Sequence, residues 1–305
     1  MSKENTAVTK KKIKRCKEDV VFDAACFIIL TLVLFVVAYP LYWVIISSIS
    51  APSAVSSGKV LLHPIGFTLK GYAEVFKNDQ VMRGFLNSLI ITFCGVMVNL
   101  IVTLPTSYAL SRSNFSGKKP ITIFYLITMF FGGGLIPTYL VIQRLQMLNT
   151  IWALILPGCL SVYNMIVART FFKSNISEEL YEAAETQARF FFQIALPLSK
   201  AIIAILVLYY GVGHWNSYFS ALVYISDKAK YPLQLVLRNI LITNQTALSQ
   251  TATTAAARAA LQEKQQLIDV MKYSLIIISS IPVLVMYPLV QKHFVKGVMI
   301  GSMKG

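Results

Sequence analysis

The chain has 305 residues, 56% of them hydrophobic and only 13% charged, with a mean hydropathy of +0.63. A soluble domain carries about 25% charged residues, so a water-soluble globular fold is excluded and one membrane domain is indicated. The formal net charge of +15 does not restore a nucleic-acid reading, because the basic residues stand at the ends of apolar segments and build no interleaved aromatic and basic face.

Residues 1–20 form a polar, basic tail with Lys3, Lys10, Lys11, Lys12, Lys14, Arg15 and Lys17. The apolar run after it is too long for a signal-peptide core and lacks a small-residue cleavage site, so it is expected to stay as a first span over 24–49. Pro40 bends that span, which neighbouring helices accommodate in a membrane. Residues 50–84 carry Pro52, Gly58, Pro64 and Gly71 and read as a polar connection. A second span is predicted over 85–110, ending at Ser111-Arg112. The basic link through Lys118-Lys119-Pro120 leads to a third over 121–142. Within the third, Gly132-Gly133-Gly134 and Pro137 predict a kink or a close helix contact; the alternative is a local unwinding that lines a pathway.

A fourth span is predicted over 150–171 and a fifth over 201–225. The polar segment 226–272 is helix-compatible over 251–269 and long enough to suggest a docking role. The last span, 273–290, is followed by a tail to Gly305. The expected fold class is therefore all-α and polytopic: six transmembrane helices of about 20 residues each, matching the hydrocarbon thickness. The division is a tail over 1–20 and a transmembrane domain over 21–305. Cys16, Cys26, Cys94 and Cys159 show no metal-ligand spacing and no disulfide framework.

Orientation follows from the positive-inside rule. With the N-terminus inside, 17 of the 28 Lys and Arg residues fall on the inner side and 11 on the outer, which places both termini and the segment 175–200 in the cytoplasm. That segment alone, between Phe85 and Ile225, combines several charges with helical patterning. Ser177 suits an N-cap, and Glu178 and Glu179 in the first turn suit the positive end of the helix dipole.

Ser177-Glu178-Glu179-Leu180-Tyr181-Glu182-Ala183-Ala184, followed by Ile194-Ala195-Leu196-Pro197-Leu198, resembles the cytoplasmic coupling loop (the EAA motif) of permease subunits of ABC importers, of the binding-protein-dependent carbohydrate-uptake, maltose-type family. Trp215-Asn216, Tyr218-Phe219, Ala221-Leu222, Lys230-Tyr231-Pro232-Leu233 and the terminal Gly301-Ser302-Met303-Lys304-Gly305 are also similar, so the likeness runs over 85–305. The resemblance implies a type I importer permease fold in a bacterial cytoplasmic membrane. Its implied partners are a second homologous permease, two ATP-binding subunits that hold Mg-ATP, an extracellular solute-binding protein and membrane lipid, with no nucleic acid. It also implies that Glu178, Glu179, Glu182, Ala183 and Ala184 couple to the ATPase while Leu180, Tyr181, Phe191, Ile194, Leu196 and Pro197 pack the loop. Apart from the resemblance, Glu182 reads as a solvated glutamate, and Phe190, Phe191 and Phe192 as packing; Pro197 marks the bend into the fifth span.

One departure stands out. The family places Asp-Gly-Ala between the two halves of the motif, and here about four residues, the glycine included, are missing after Glu185. Four helical residues correspond to roughly 6 Å of rise and about 40° of rotation. A true deletion would impair coupling; residues absent from the recorded sequence would not. The Cα–Cα spacing across Glu185–Thr186, about 3.8 Å for a trans peptide, separates the two.

Enzymatic chemistry finds little support. Ser57-Gly58-Lys59-Val60 is only a fragment of a phosphate loop, so no ATPase site and no catalytic residue is expected here. His63, His214 and His293 are too far apart for a zinc motif, so no metal is expected, and no Gly-x-Ser-x-Gly elbow occurs. The spans contain almost no charge, with Asp23 near a boundary, whereas proton- and sodium-coupled carriers keep ionisable groups within the membrane. An external energy source is the consequence. Tyr209, Tyr210, His214, Trp215, Asn216 and Tyr218 form an aromatic and polar cluster suited to a sugar pathway, with helix packing and an interfacial aromatic belt as the alternative. The function expected is a transport subunit for a sugar or oligosaccharide. The rivals are an ABC permease for a non-sugar solute, a self-contained secondary carrier and a purely structural membrane subunit.

Overall fold

The computed structural model describes residues 17–177, 187–247 and 255–302. Among these, every regular element is a helix. Among these residues three helices are long and apolar enough to cross a membrane unbroken, and counting each of three bent helix pairs as one span gives up to six.

The first, α1 (Lys17–Ser48), is apolar all round, and of its residues only Ile46, Ser47 and Ser48 are buried. A helix apolar on every side belongs in a membrane. Pro40 lies inside it. The connection beyond folds back over its end through α2 (Pro52–Ser56) and α3 (Lys70–Lys77). There Trp43 Nε1 donates to the Val60 carbonyl at 2.7 Å and the Tyr42 hydroxyl to that of Leu62 at 2.6 Å. Val60 is buried with Ile46, Ala54, Val55 and Val270.

The central element is α4 (Asp79–Ser111), six residues longer at its start than the predicted span because Asn78 caps it, its side chain accepting from the Gln80 and Val81 N–H groups. Its buried residues recur at helical spacing, and many are small or polar: Gly84, Ser88, Gly95, Asn99, Thr103 and Ser107. Small residues let helix backbones approach closely in a membrane. A Cβ on Gly84 would lie 3.3 Å from Leu233 Cα, and one on Gly95 would lie 2.5 Å from His214 Nε2.

The predicted third span is two helices, α5 (Lys118–Phe130) and α6 (Leu135–Arg144), bent by 114°. The glycines between them serve no close helix contact: the Cβ positions of Gly132 and Gly134 meet nothing within 4 Å, and Gly134 has φ +85°. The chain unwinds there because only glycine adopts that conformation without cost. The predicted fourth span is broken as well. Helix α7 (Trp152–Ile155), continued by a 3₁₀ turn (Leu156–Gly158), meets α8 (Val162–Asn175) at 52°.

Next come α9 (Gln187–Phe190), a π-helical turn (Phe191–Ala195) and α10 (Leu196–Leu198). The chain then turns by 75° at Ser199 into α11 (Lys200–Trp215). Pro197 thus stands two residues before the bend. The predicted fifth span stops short at Trp215, where Asn216 caps the helix, and a separate α12 (Phe219–Tyr224) follows. The segment 226–272 is no simple connection. It contains α13 (Leu233–Ala247), on which Leu233, Leu235 and Val236 are buried, and the start of α14 (Ala255–Ser302), which runs unbroken through the predicted last span and into the tail. Asn149, with φ +61°, ties two connections together: its N–H donates to Tyr224 O, while its side-chain oxygen accepts from Asp227 N–H and its carbonyl from Lys230 Nζ.

Candidate functional site

The coupling residues Glu178, Glu179, Leu180, Tyr181, Glu182, Ala183 and Ala184 lie outside the described residues, as does the Glu185–Thr186 junction. Both flanks of the segment are described, and they enter the same core. Ile176 before it and Phe190 and Phe191 after it are buried together with Leu104, Tyr108, Phe172, Ala195, Ile202 and Leu206. The two flanks therefore meet the bundle at one place, where α4, α8 and α11 pack together. Tyr108 is the hub: its ring lies 5.5 Å from Phe172 and 4.9 Å from Phe191, centroid to centroid. Among the remaining packing candidates, Leu196 lies partly buried against this core, whereas Ile194, Pro197 and the neighbouring Phe192 are exposed.

Two arginines cross between helices at this end. Arg112, just past α4 and only 3% exposed, donates from Nη2 to the Phe172 carbonyl at 3.0 Å and from Nη1 to that of Ile176 at 3.4 Å. These carbonyls stand at the C-terminal end of α8, where the helix dipole is negative; that of Phe172 also accepts from the Ile176 N–H at 3.1 Å. In return Arg169 of α8 donates from Nε to the Leu110 carbonyl, at the end of α4, at 3.0 Å. The Arg112 guanidinium also lies 5.1 Å from the Tyr108 ring centroid, and its Nε donates to Ser111 Oγ at 3.0 Å. Sequence reasoning counted Arg112 and Arg169 only as orienting charges; a cation directly after an apolar helix of 33 residues was the available signal.

The aromatic and polar cluster of α11 divides. The Tyr210 hydroxyl is within 2.7 Å of Thr103 Oγ1 and accepts from the Ser161 N–H at 3.2 Å. His214 Nε2 lies 2.7 Å from Asn99 Oδ1, and Asn99 Nδ2 donates to the Gly158 carbonyl at 2.7 Å. Trp215, 2% exposed, donates to the Ser279 carbonyl at 2.8 Å and stands edge-on to Phe85. These three side chains join α11 to its neighbours. Tyr209, Asn216 and Tyr218 are exposed. Tyr209 opens on a cavity of about 570 Å³ that is also lined by Tyr163, Asn164, Leu208, Val212, Val283 and Tyr287. From α8, α11 and α14, three tyrosines and one amide converge on it; of these residues sequence reasoning named only Tyr209. Among the described residues no three His, Cys, Asp or Glu side chains gather as a metal site.

The described helices make up a polytopic apolar bundle in which both flanks of residues 178–186 pack at one junction of α4, α8 and α11. No protein-family model matches the chain. It is 34% identical over 288 residues to the polygalacturonan/rhamnogalacturonan transport system permease protein YtcP of Bacillus subtilis, covering 93% of this chain and 98% of the relative. It is 37% identical over 289 residues to protein LplC of the same organism, covering 93% and 95%. Among solved structures, a bacterial ABC transporter involved in the import of the acidic polysaccharide alginate contains a chain that superposes with a TM-score of 0.82 at 26% identity, over 92% of this chain and 99% of that one. The chain belongs to the permease subunits of carbohydrate ABC importers.

Proposed function

We propose that this chain forms one half of the membrane pathway of a bacterial ABC importer and passes an oligosaccharide into the cytoplasm by alternating access. It pairs with a second, homologous permease. Two ATP-binding subunits grip residues 178–186 and supply the Mg-ATP hydrolysis that this chain does not perform. An extracellular binding protein docks on the face formed by the connections 50–84 and 226–272. Both termini and the coupling segment face the cytoplasm of the bacterial plasma membrane.

The observation that carries the reading is the likeness to sugar permeases over 93% of the chain, together with the junction at which both flanks of the coupling segment join α4, α8 and α11. Movement imposed on residues 178–186 enters three spans at once there. Glu182 and Ala183 sit where the resemblance puts the ATPase contact. The pathway face is drawn from Tyr163, Asn164, Tyr209 and Tyr287, whose rings and amide suit the C–H faces and hydroxyl groups of a sugar; Tyr210, His214, Trp215, Asn216 and Tyr218 support that face from α11 and its end.

The test is to purify the complex from its host, identify the accompanying chains and reconstitute it in vesicles. Replacing Glu182 and Ala183 by lysine is expected to abolish uptake while leaving binding-protein docking intact. Uptake at the unmodified rate would overturn the assignment of the coupling residues. Oligosaccharides prepared from polygalacturonan, from alginate and from a neutral glucan, offered side by side, read out the substrate class.

A further inference from the structure

We propose that Arg112 and Arg169 form a crossed clamp that makes α4 and α8 follow the coupling segment as one body, with Arg112 as the positioning residue. The inference rests on the reading of residues 178–186 as the ATPase contact. Each arginine donates to carbonyls at the C-terminal end of the other's helix: Arg112, just past α4, to Phe172 and Ile176, and Arg169 of α8 to Leu110. Ile176 is two residues before the first residue of the coupling segment outside the described chain, so the Arg112 bond falls on the backbone through which any pull on that segment must pass. On the returning side Phe191 packs on Tyr108, over whose ring Arg112 lies. Lys118 Nζ adds a bond to the Arg112 carbonyl at 3.3 Å, tying the start of α5 to the same point.

The clamp is stiff for a physical reason. Arg112 is buried, and sliding α8 along α4 would part its guanidinium from the two carbonyls at the end of α8, losing charge-assisted hydrogen bonds that are stronger than neutral ones. The planar guanidinium fork reaches two carbonyls and a hydroxyl at fixed angles, which a lysine ammonium does not reproduce. Rigid transmission from Ile176 to both helices follows.

The test uses the assembled complex in vesicles, with the native cysteines replaced and a single reporter, Val162→Cys, at the far end of α8. Its labelling rate by a water-soluble maleimide is measured without nucleotide and with ATP plus vanadate, alongside ATPase activity. In the otherwise unmodified complex the rate changes on trapping. In Arg112→Ala the subunits still co-purify and ATP is still hydrolysed, but the change is lost; in Arg112→Lys it shrinks about threefold, because charge is kept and the fork is not. Arg169→Ala behaves as Arg112→Ala, and the double variant is no worse than either single one, as expected of residues that act as a unit. An unaltered response in Arg112→Ala overturns the clamp. If Arg112→Ala fails to insert, Arg112→Lys decides: an undiminished response there also overturns it. A complex that lacks ATP-binding subunits, or that shows no response before Arg112 is changed, overturns the coupling reading instead.

Discussion

Tyr210 shows at a single side chain how this bundle disposes of polar groups at membrane depth. Its hydroxyl meets both Thr103 of α4 and the Ser161 N–H before α8, so three elements share one oxygen. Tyr210→Phe is expected to lower stability by about 1–2 kcal/mol, since the buried Thr103 hydroxyl and the part-buried Ser161 N–H lose their partner; thermal unfolding in detergent reads this directly. Gly95→Ala is expected to cost about 1–3 kcal/mol, because the added methyl overpacks the His214 ring and pushes it from Asn99. The same assay reads this change, and a melting point equal to that of the unmodified protein would contradict it. The sequence made the aromatic richness of α11 plain. It did not make the partners plain, because Asn99 stands 115 residues before His214 and Ser279 stands 64 after Trp215. Which rings hold helices together and which face a cavity is decided by neighbours that no local pattern names.

At the scale of elements, the apolar runs were legible and the breaks within them were not. Length and hydropathy located the apolar runs, but only the first, second and last hold a single long helix; the third and fourth are bent pairs, and the fifth pairs across Ser199 with the segment before it. In the fourth, Pro157-Gly158 is a turn dipeptide, and it lies in the 3₁₀ turn just before the bend; the signal was present within a run whose apolar character dominated the reading. In the third, the glycines were visible, but only the backbone distinguishes a contact from an unwinding. Gly134 has φ +85° and ψ 176°, a region essentially reserved for glycine. Gly134→Ala is therefore expected to cost of order 1–3 kcal/mol, although its Cβ would meet no neighbour. Equal losses for Gly132→Ala and Gly134→Ala would point to space rather than backbone conformation. The helix α13 went unnoticed because its face is completed by Val81 and Trp215 from distant parts of the chain.

For the whole molecule, the arrangement is a core around α4 with α1 at its margin. Phe27 and Phe35 are about 70% exposed, so nothing among the described residues of this chain depends on them for packing. Phe27→Ala and Phe35→Ala are each expected to change the stability of the isolated subunit by less than about 0.5 kcal/mol, and any larger effect should appear only in the assembled complex. Parallel unfolding of the subunit alone and of the complex separates these cases. The coupling junction was half legible: the motif announced the segment, while the arginine exchange beneath it is a product of two helix ends meeting.

The length of α14 carries a consequence of its own. Its 48 residues rise about 72 Å as a helix, against a hydrocarbon layer of about 30 Å, so it protrudes into water at one side or both. A tilt of only about 10° displaces one tip by roughly 12 Å relative to the other over that rise. Such a spindle would broadcast a small rotation in the bilayer as a large excursion in the aqueous phase, where a pair of spectroscopic labels can follow it.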